Sequence, residues 1–275
     1  METYRDALTV FKRYITDTLH LSIRSFRFED CTHDLLLSYM EFLNKNGNAE
    51  TTCNNRLAAI RAYLWYVADD NISLQSVALT ASHVPFLKVP KLTREVISEE
   101  DLKALLSAPP NTKIGRRDQM ILILLYDSAI RVSELLSLDV SSVNLDAEIP
   151  YLRIYGKGDK ERRVYFDAKA KLHLQNYIKS RTDDNPALFT TLDAPYDRLK
   201  ISGVEIRVRE LGRKISMERI HPHKFRRTMA TRAIDKGMPI EQVQKILGHS
   251  QIDTTMQYAI VNQNNVKASH RRYIA

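Results

Sequence analysis

The sequence predicts a mainly α-helical chain with a small β-sheet, an α+β protein in two domains. Three observations carry this. Apolar residues in the first 84 positions recur at the three-to-four-residue spacing of amphipathic helices. The segment Val84-Pro85-Phe86-Leu87-Lys88-Val89-Pro90-Lys91-Leu92 breaks that pattern, because two prolines so close together do not fit inside a helix. Beyond it, two strand-like runs flank Gly156-Lys157-Gly158-Asp159-Lys160, the pattern of a hairpin. The expected layout is a helical domain over 1–84, a linker over 85–95 and a second domain over 96–275.

In the first domain, Tyr4, Leu8, Phe11 and Ile15 form one helical stripe. Leu35, Leu36, Tyr39, Met40 and Leu43 form a second, opened by Thr32 and stopped by Gly47. A third helix runs from Thr51 through Leu57, Ile60, Leu64 and Val67 to Asp69-Asp70-Asn71, and a short fourth lies near Val77–Leu79. Past the linker, Ser98-Glu99-Glu100-Asp101 reads as a capped helix start. Arg117 to Leu138 reads as one apolar helical stretch with a polar interruption at Asp127-Ser128. The strands span Tyr151–Tyr155 and Arg162–Phe166, and helices follow near 168–180, 202–215, 223–236 and 239–247.

Composition narrows the class. Of 275 residues, 44% are hydrophobic, enough for packed cores. The longest clean apolar run, Met120 to Tyr126, is too short to span a bilayer, and the N-terminus lacks a signal-peptide pattern. Cys31 and Cys53 are too few for a disulfide framework, so a reduced cytoplasm is the expected setting. The net charge is +8, unevenly placed: the first 90 residues carry 9 basic and 10 acidic groups, the remainder 32 and 23. A basic second domain favours a polyanion such as nucleic acid, because each neutralised phosphate releases counterions; ordinary solubility charge is the competing explanation.

Four clusters carry possible chemistry. Arg131 and Glu134 are three apart and would share a helix face, so the carboxylate could orient the guanidinium; a plain surface ion pair is the commoner occupant of such spacing. Lys157 stands between two glycines at a hairpin tip, where it can reach a phosphate or deliver a proton, although most loop lysines are merely solvated. In His221-Pro-His223-Lys-Phe-Arg226-Arg227, His223 and Arg226 would face the same way, a pairing suited to holding a phosphate and moving a proton. A metal site there lacks a third ligand at close spacing. Leu247-Gly248-His249-Ser250 reads as a helix end, and nine residues after His249 comes Tyr258.

Taken together, the order Arg131, Lys157, His223-x-x-Arg226, His249, Tyr258 resembles the tyrosine recombinase, or phage integrase, family. Local strings agree: Ser128-Ala-Ile-Arg131-Val-Ser-Glu134-Leu, Gly156-Lys157-Gly158-Asp-Lys-Glu-Arg162, His223-Lys-Phe-Arg226-Arg-Thr-Met-Ala-Thr231, and Leu247-Gly-His249-Ser-Gln-Ile-Asp-Thr-Thr255-Met-Gln-Tyr258. The likeness covers about 96–260, and size and layout are most similar to compact Xer-type, integron or transposon integrases. It implies an N-terminal core-binding domain and a catalytic domain. It also implies a site-specific recombinase that cuts and rejoins DNA through a 3′-phosphotyrosine on Tyr258. In that scheme Arg131 and Arg226 clamp the phosphate, Lys157 protonates the leaving 5′ oxygen, His223 assists the tyrosine proton and His249 bonds the phosphate. Glu134 supports from behind, with no metal or cofactor. The expected partners are a double-stranded recombination site, three further copies of the chain on DNA, and accessory bending or excision proteins. DNA contacts are expected from Asn55, Arg56, Arg61, Lys160, Arg162 and Arg227, and the tail from Asn262 is expected to dock on a neighbouring subunit. A type IB topoisomerase-like relaxing enzyme is the alternative. Two positions depart from the family pattern: Ala129 stands where glycine is frequent, and Arg227 where histidine is frequent.

Overall fold

The computed structural model describes residues 2–89, 95–155, 161–259 and 270–271. Two compact units divide between Thr93 and Arg94. Among the described residues no helix is long and apolar enough to cross a membrane.

The first unit holds α1 (Glu2–Arg13), α2 (His33–Lys45), α3 (Glu50–Asp70) and α4 (Gln75–His83). Thr32 caps α2 by accepting from the Leu35 N–H, and the helix is left through Gly47 at φ +75, so both predicted ends hold. The apolar stripes converge on Phe11, Ile15, Leu36, Tyr39, Leu43, Leu57, Ile60 and Leu64. Tyr4, expected on the first stripe, is exposed. The unit does not end at Val84. Asn54 on α3 clasps Leu87 in both directions, its Nδ2 donating to the Leu87 carbonyl and its Oδ1 accepting from the Leu87 N–H, each at 2.9 Å. Residues 85–87, read from sequence as linker, are therefore held on the helical unit.

The second unit contains α5 (Glu99–Ser107), α6 (Lys113–Asp127), α7 (Val132–Ser137), β1 (Val143–Asn144), β2 (Tyr151–Tyr155), β3 (Glu161–Tyr165), α8 (Ala168–Lys179), α9 (Ile201–Lys214), α10 (Pro222–Asp235), α11 (Ile240–Leu247) and α12 (Asp253–Met256). The strands form an antiparallel sheet in the order β1-β2-β3, with Ile154 opposite Arg162 and Tyr155 opposite Glu161. The hairpin tip, and with it Lys157 and Lys160, lies outside the described residues, as does the tail from Asn262 apart from His270 and Arg271. Leu122, Leu124, Leu125, Leu135, Leu152, Leu174, Phe189 and Phe225 build one core.

The stretch from Arg117 to Leu138 is not one helix. It breaks after Asp127, and Ala129 takes a left-handed φ of +48 before α7 begins. That conformation costs an L-residue on the order of 1–2 kcal/mol and glycine far less, a physical reason for the glycine that this family often carries there. The break turns Arg131 out of the helix and into the cap position of α7.

Candidate active site

Four segments meet at the start of α7. Arg131 has extended backbone there; its N–H donates to Glu134 Oε2 at 3.0 Å and its Nη1 to Glu134 Oε1 at 2.8 Å. Arg162 reaches the same carboxylate from β3, with Nη1 and Nη2 each 2.8 Å from one of its oxygens. Two guanidinium groups thus share one buried carboxylate. Burial works to raise the pKa of Glu134, but hydrogen bonds from Arg162 and from the backbone and side chain of Arg131 outweigh it and bring the value down to about 2.

The remaining Nη2 of Arg131 donates to the Gly248 carbonyl at 3.2 Å. Arg226, on α10 and 3% exposed, donates from Nη1 to the Ala129 carbonyl and from Nη2 to the Leu247 carbonyl. Its Nη2 is also 2.9 Å from His249 Nε2. Burial and the charge of Arg131 lower its pKa to about 10, which leaves it a cation at neutral pH. Both arginines therefore converge on the corner where α11 ends. Gly248 makes that corner at φ +63, and a Cβ there would come within 3.0 Å of Arg162 Cζ.

His249 follows the corner. Its Nδ1 is 2.9 Å from Thr255 Oγ1, and desolvation together with the charges of Arg226, Arg131 and Arg162 lowers its pKa to about 4, so the ring is neutral at pH 7. Tyr258 lies just past α12, its N–H donating to the Thr255 carbonyl at 2.9 Å. Its ring stacks with that of His249, with centroids 6.1 Å apart and planes at 22°. It packs against a small cluster of Ala129, Ala230, Val243 and Leu247. His223 stands in the first turn of α10, one turn before Arg226; partial desolvation and the charges of Arg226 and Arg131 lower its pKa. A cleft of about 820 Å³ opens here, lined by Arg131, Glu134, Arg162, Gly248, His249 and Thr254 among others.

The structure thus brings together Arg131, Glu134, His223, Arg226, His249 and Tyr258. Three of the residues expected to touch DNA are engaged within the protein. Arg162 is spent on Glu134. Arg61 donates to the carbonyls of Ala81 and Val84 and lies 4.4 Å over the Phe86 ring, so it closes the end of α4. Arg56 donates to Asn48 Oδ1 at 2.8 Å. Asn55 is exposed on α3, and Arg227 is partly exposed beside Arg226. Sequence reasoning missed the bridging position of Arg162. The signal was available: Arg162, Val164 and Phe166 alternate onto one face of a strand, and Val164 and Phe166 are core residues. It also missed Thr255, which is fully buried.

Residues 95–265 match the model of the phage integrase family. Tyrosine recombinase XerC of Staphylococcus epidermidis is 27% identical over 273 residues, spanning 97% of this chain and 88% of its own. Tyrosine recombinase XerA of Thermococcus kodakarensis is 30% identical over 237 residues, spanning 86% of this chain and 80% of its own. Among solved structures, the Tn1549 transposon integrase in complex with transposon right end DNA superposes with a TM-score of 0.73 at 16% identity, covering 98% of this chain and 94% of that one. The XerH site-specific recombinase bound to difH substrate, a pre-cleavage complex, gives 0.73 at 19% identity, covering 100% of this chain and 79% of that one.

Proposed function

The chain belongs to the phage integrase family and is a tyrosine recombinase that breaks and rejoins DNA strands, and on that premise we propose that Tyr258 is its nucleophile and the Arg131–Arg226–His249 corner its phosphate seat. The observation that carries this is the convergence of Arg131 and Arg226 on residues 247–249, with the Tyr258 ring stacked on His249.

The chemistry follows from charge. A phosphodiester under attack gathers negative charge on its non-bridging oxygens, so fixed cations in a partly dry site lower the barrier. Arg131 and Arg226 are held in place by Glu134 and by backbone carbonyls, so little reorganisation is needed when phosphate arrives. Tyr258 attacks phosphorus and keeps the 3′ phosphate while the 5′ oxygen leaves, protonated by Lys157. The covalent bond conserves the energy of the broken one, and rejoining needs no ATP. His223, neutral at pH 7 with its pKa lowered, is suited to accept the phenolic proton.

The substrate we assign is double-stranded DNA carrying a recombination site, and the working unit is four copies on two duplexes, because strand exchange has four cleavage sites and each Tyr258 holds one end. The relatives above are recombinases and integrases, which favours strand exchange over simple relaxation. Bacterial and archaeal relatives fit a prokaryotic, cytoplasmic, DNA-associated enzyme.

The test is to incubate the protein with a library of genomic duplex fragments, denature, recover the DNA bound covalently to protein and sequence it. Adducts at a defined site, attached through a 3′ end and lost in Tyr258→Phe while DNA binding persists, are the expected result. Adducts that persist in Tyr258→Phe overturn the assignment.

A further inference from the structure

We propose that Thr255 is a positioning residue for the reaction: its hydroxyl sets the proton placement of His249 while its backbone places Tyr258. The inference rests on the assignment of the phosphate seat above.

The hydrogen-bond chemistry is constrained. A guanidinium has donors and no acceptor. The 2.9 Å contact between Arg226 Nη2 and His249 Nε2 therefore needs a lone pair on Nε2. The ring is neutral, so its single proton is on Nδ1, and Nδ1 donates to Thr255 Oγ1 at 2.9 Å. Thr255 is fully buried, so that hydroxyl is screened from water. The resting histidine thus presents an acceptor to the phosphate seat, the wrong polarity for bonding a phosphate oxygen.

When a phosphate engages Arg226 Nη2, Nε2 must carry a proton to donate to it. One proton leaves Nδ1 for bulk water and one arrives at Nε2 from it, so the charge of the ring is unchanged. A hydroxyl both accepts and donates, so Thr255 Oγ1 accepts from Nδ1 before the exchange and donates to it afterwards, and the ring need not move. A carboxylate in that position would favour only the first state. The same residue governs the nucleophile. The Thr255 N–H donates to the Ile252 carbonyl at 2.7 Å, and its carbonyl accepts from the Tyr258 N–H at 2.9 Å. Histidine and tyrosine are therefore set by one residue, and the stacking of their rings follows from it.

The experiment compares the full chain with Thr255→Val, which keeps the shape and removes the hydroxyl, and Thr255→Ser, which keeps the hydroxyl. Ring-nitrogen NMR of His249 at pH 7 reads the proton directly and needs no DNA. Wild type and Thr255→Ser are expected to show protonated Nδ1 and bare Nε2, and Thr255→Val to lose that preference. On the genomic duplex library, Thr255→Val is expected to form adducts on the order of tenfold more slowly, with Thr255→Ser near wild type. Thermal melting of each variant separates this from unfolding. A Thr255→Val protein that keeps the wild-type nitrogen pattern overturns the proposal, whatever its activity. Loss of the pattern with unchanged adduct formation overturns the catalytic consequence. Absence of adducts from wild type counts instead against the phosphate-seat assignment, and leaves the nitrogen comparison to decide the role of Thr255.

Discussion

Arg162 holds both oxygens of Glu134, each at 2.8 Å, and through that carboxylate it holds Arg131. A residue on the lysine-bearing hairpin thereby sets the aim of an arginine on another element. Arg162→Lys keeps the charge but not the two-pronged geometry. Expected is a cleavage rate lowered on the order of tenfold, the worth of about one lost charge-assisted hydrogen bond, with DNA affinity and its salt dependence unchanged. A direct phosphate contact, as read from the sequence, predicts the reverse: weaker binding and a shallower salt slope. Single-turnover adduct formation and binding titrations at several salt concentrations distinguish the two.

Glu134 also sets an acid limit. Its pKa falls from 4.5 to about 2 on folding. A depressed carboxylate contributes stability that is fully present above its unfolded value and disappears as pH falls through the folded one. The window is thus from about pH 4.5 down to about pH 2, and the contribution is about 3 kcal/mol. Chemical denaturation across that range checks it: Glu134→Gln should be less stable than wild type at pH 7, with the difference shrinking as the solution is acidified. A constant difference refutes the assignment.

Gly248→Ala tests the corner. Alanine at φ +63 costs about 1 kcal/mol, and its Cβ would press on the Arg162 guanidinium at 3.0 Å. Gly237→Ala, at φ +92 beyond the end of α10, is the control for backbone strain alone. Both should melt earlier, but only Gly248→Ala should also slow adduct formation. Equal activity of the two variants would show that the corner needs no such clearance.

Lys157→Ala should be slow on ordinary DNA and close to wild type on DNA whose bridging 5′ oxygen at the cleaved bond is replaced by sulfur. A thiolate leaves without a proton, so the missing acid ceases to matter. An equal defect on both substrates would remove Lys157 from the leaving-group step.

Much of the fold was legible because its signals are local. Thr32 and Ser98 cap helices whose first turns lie within three residues of them, and Gly248 ends a helix whose last carbonyls are equally near. The order of arginines, histidines and tyrosine was legible for the same reason, since each sits in a short string with its own context. The break at Ala129 was hidden, because the apolar pattern runs through it and only the requirement to place Arg131 at the corner opens the helix.

Sequence alone determined which groups are available and in what order: two arginines, a hairpin lysine, two histidines and the tyrosine. Tertiary structure decided what each cation is spent on. Arg162 meets Glu134 across 28 positions, and Arg131 meets Gly248 across 117. Arg61, from an equally polar stretch, goes instead to the end of α4. A guanidinium has a long, flexible stem and no preferred sequence neighbour, so its partner is whichever carboxylate or carbonyl the packing of distant elements brings within about 3 Å.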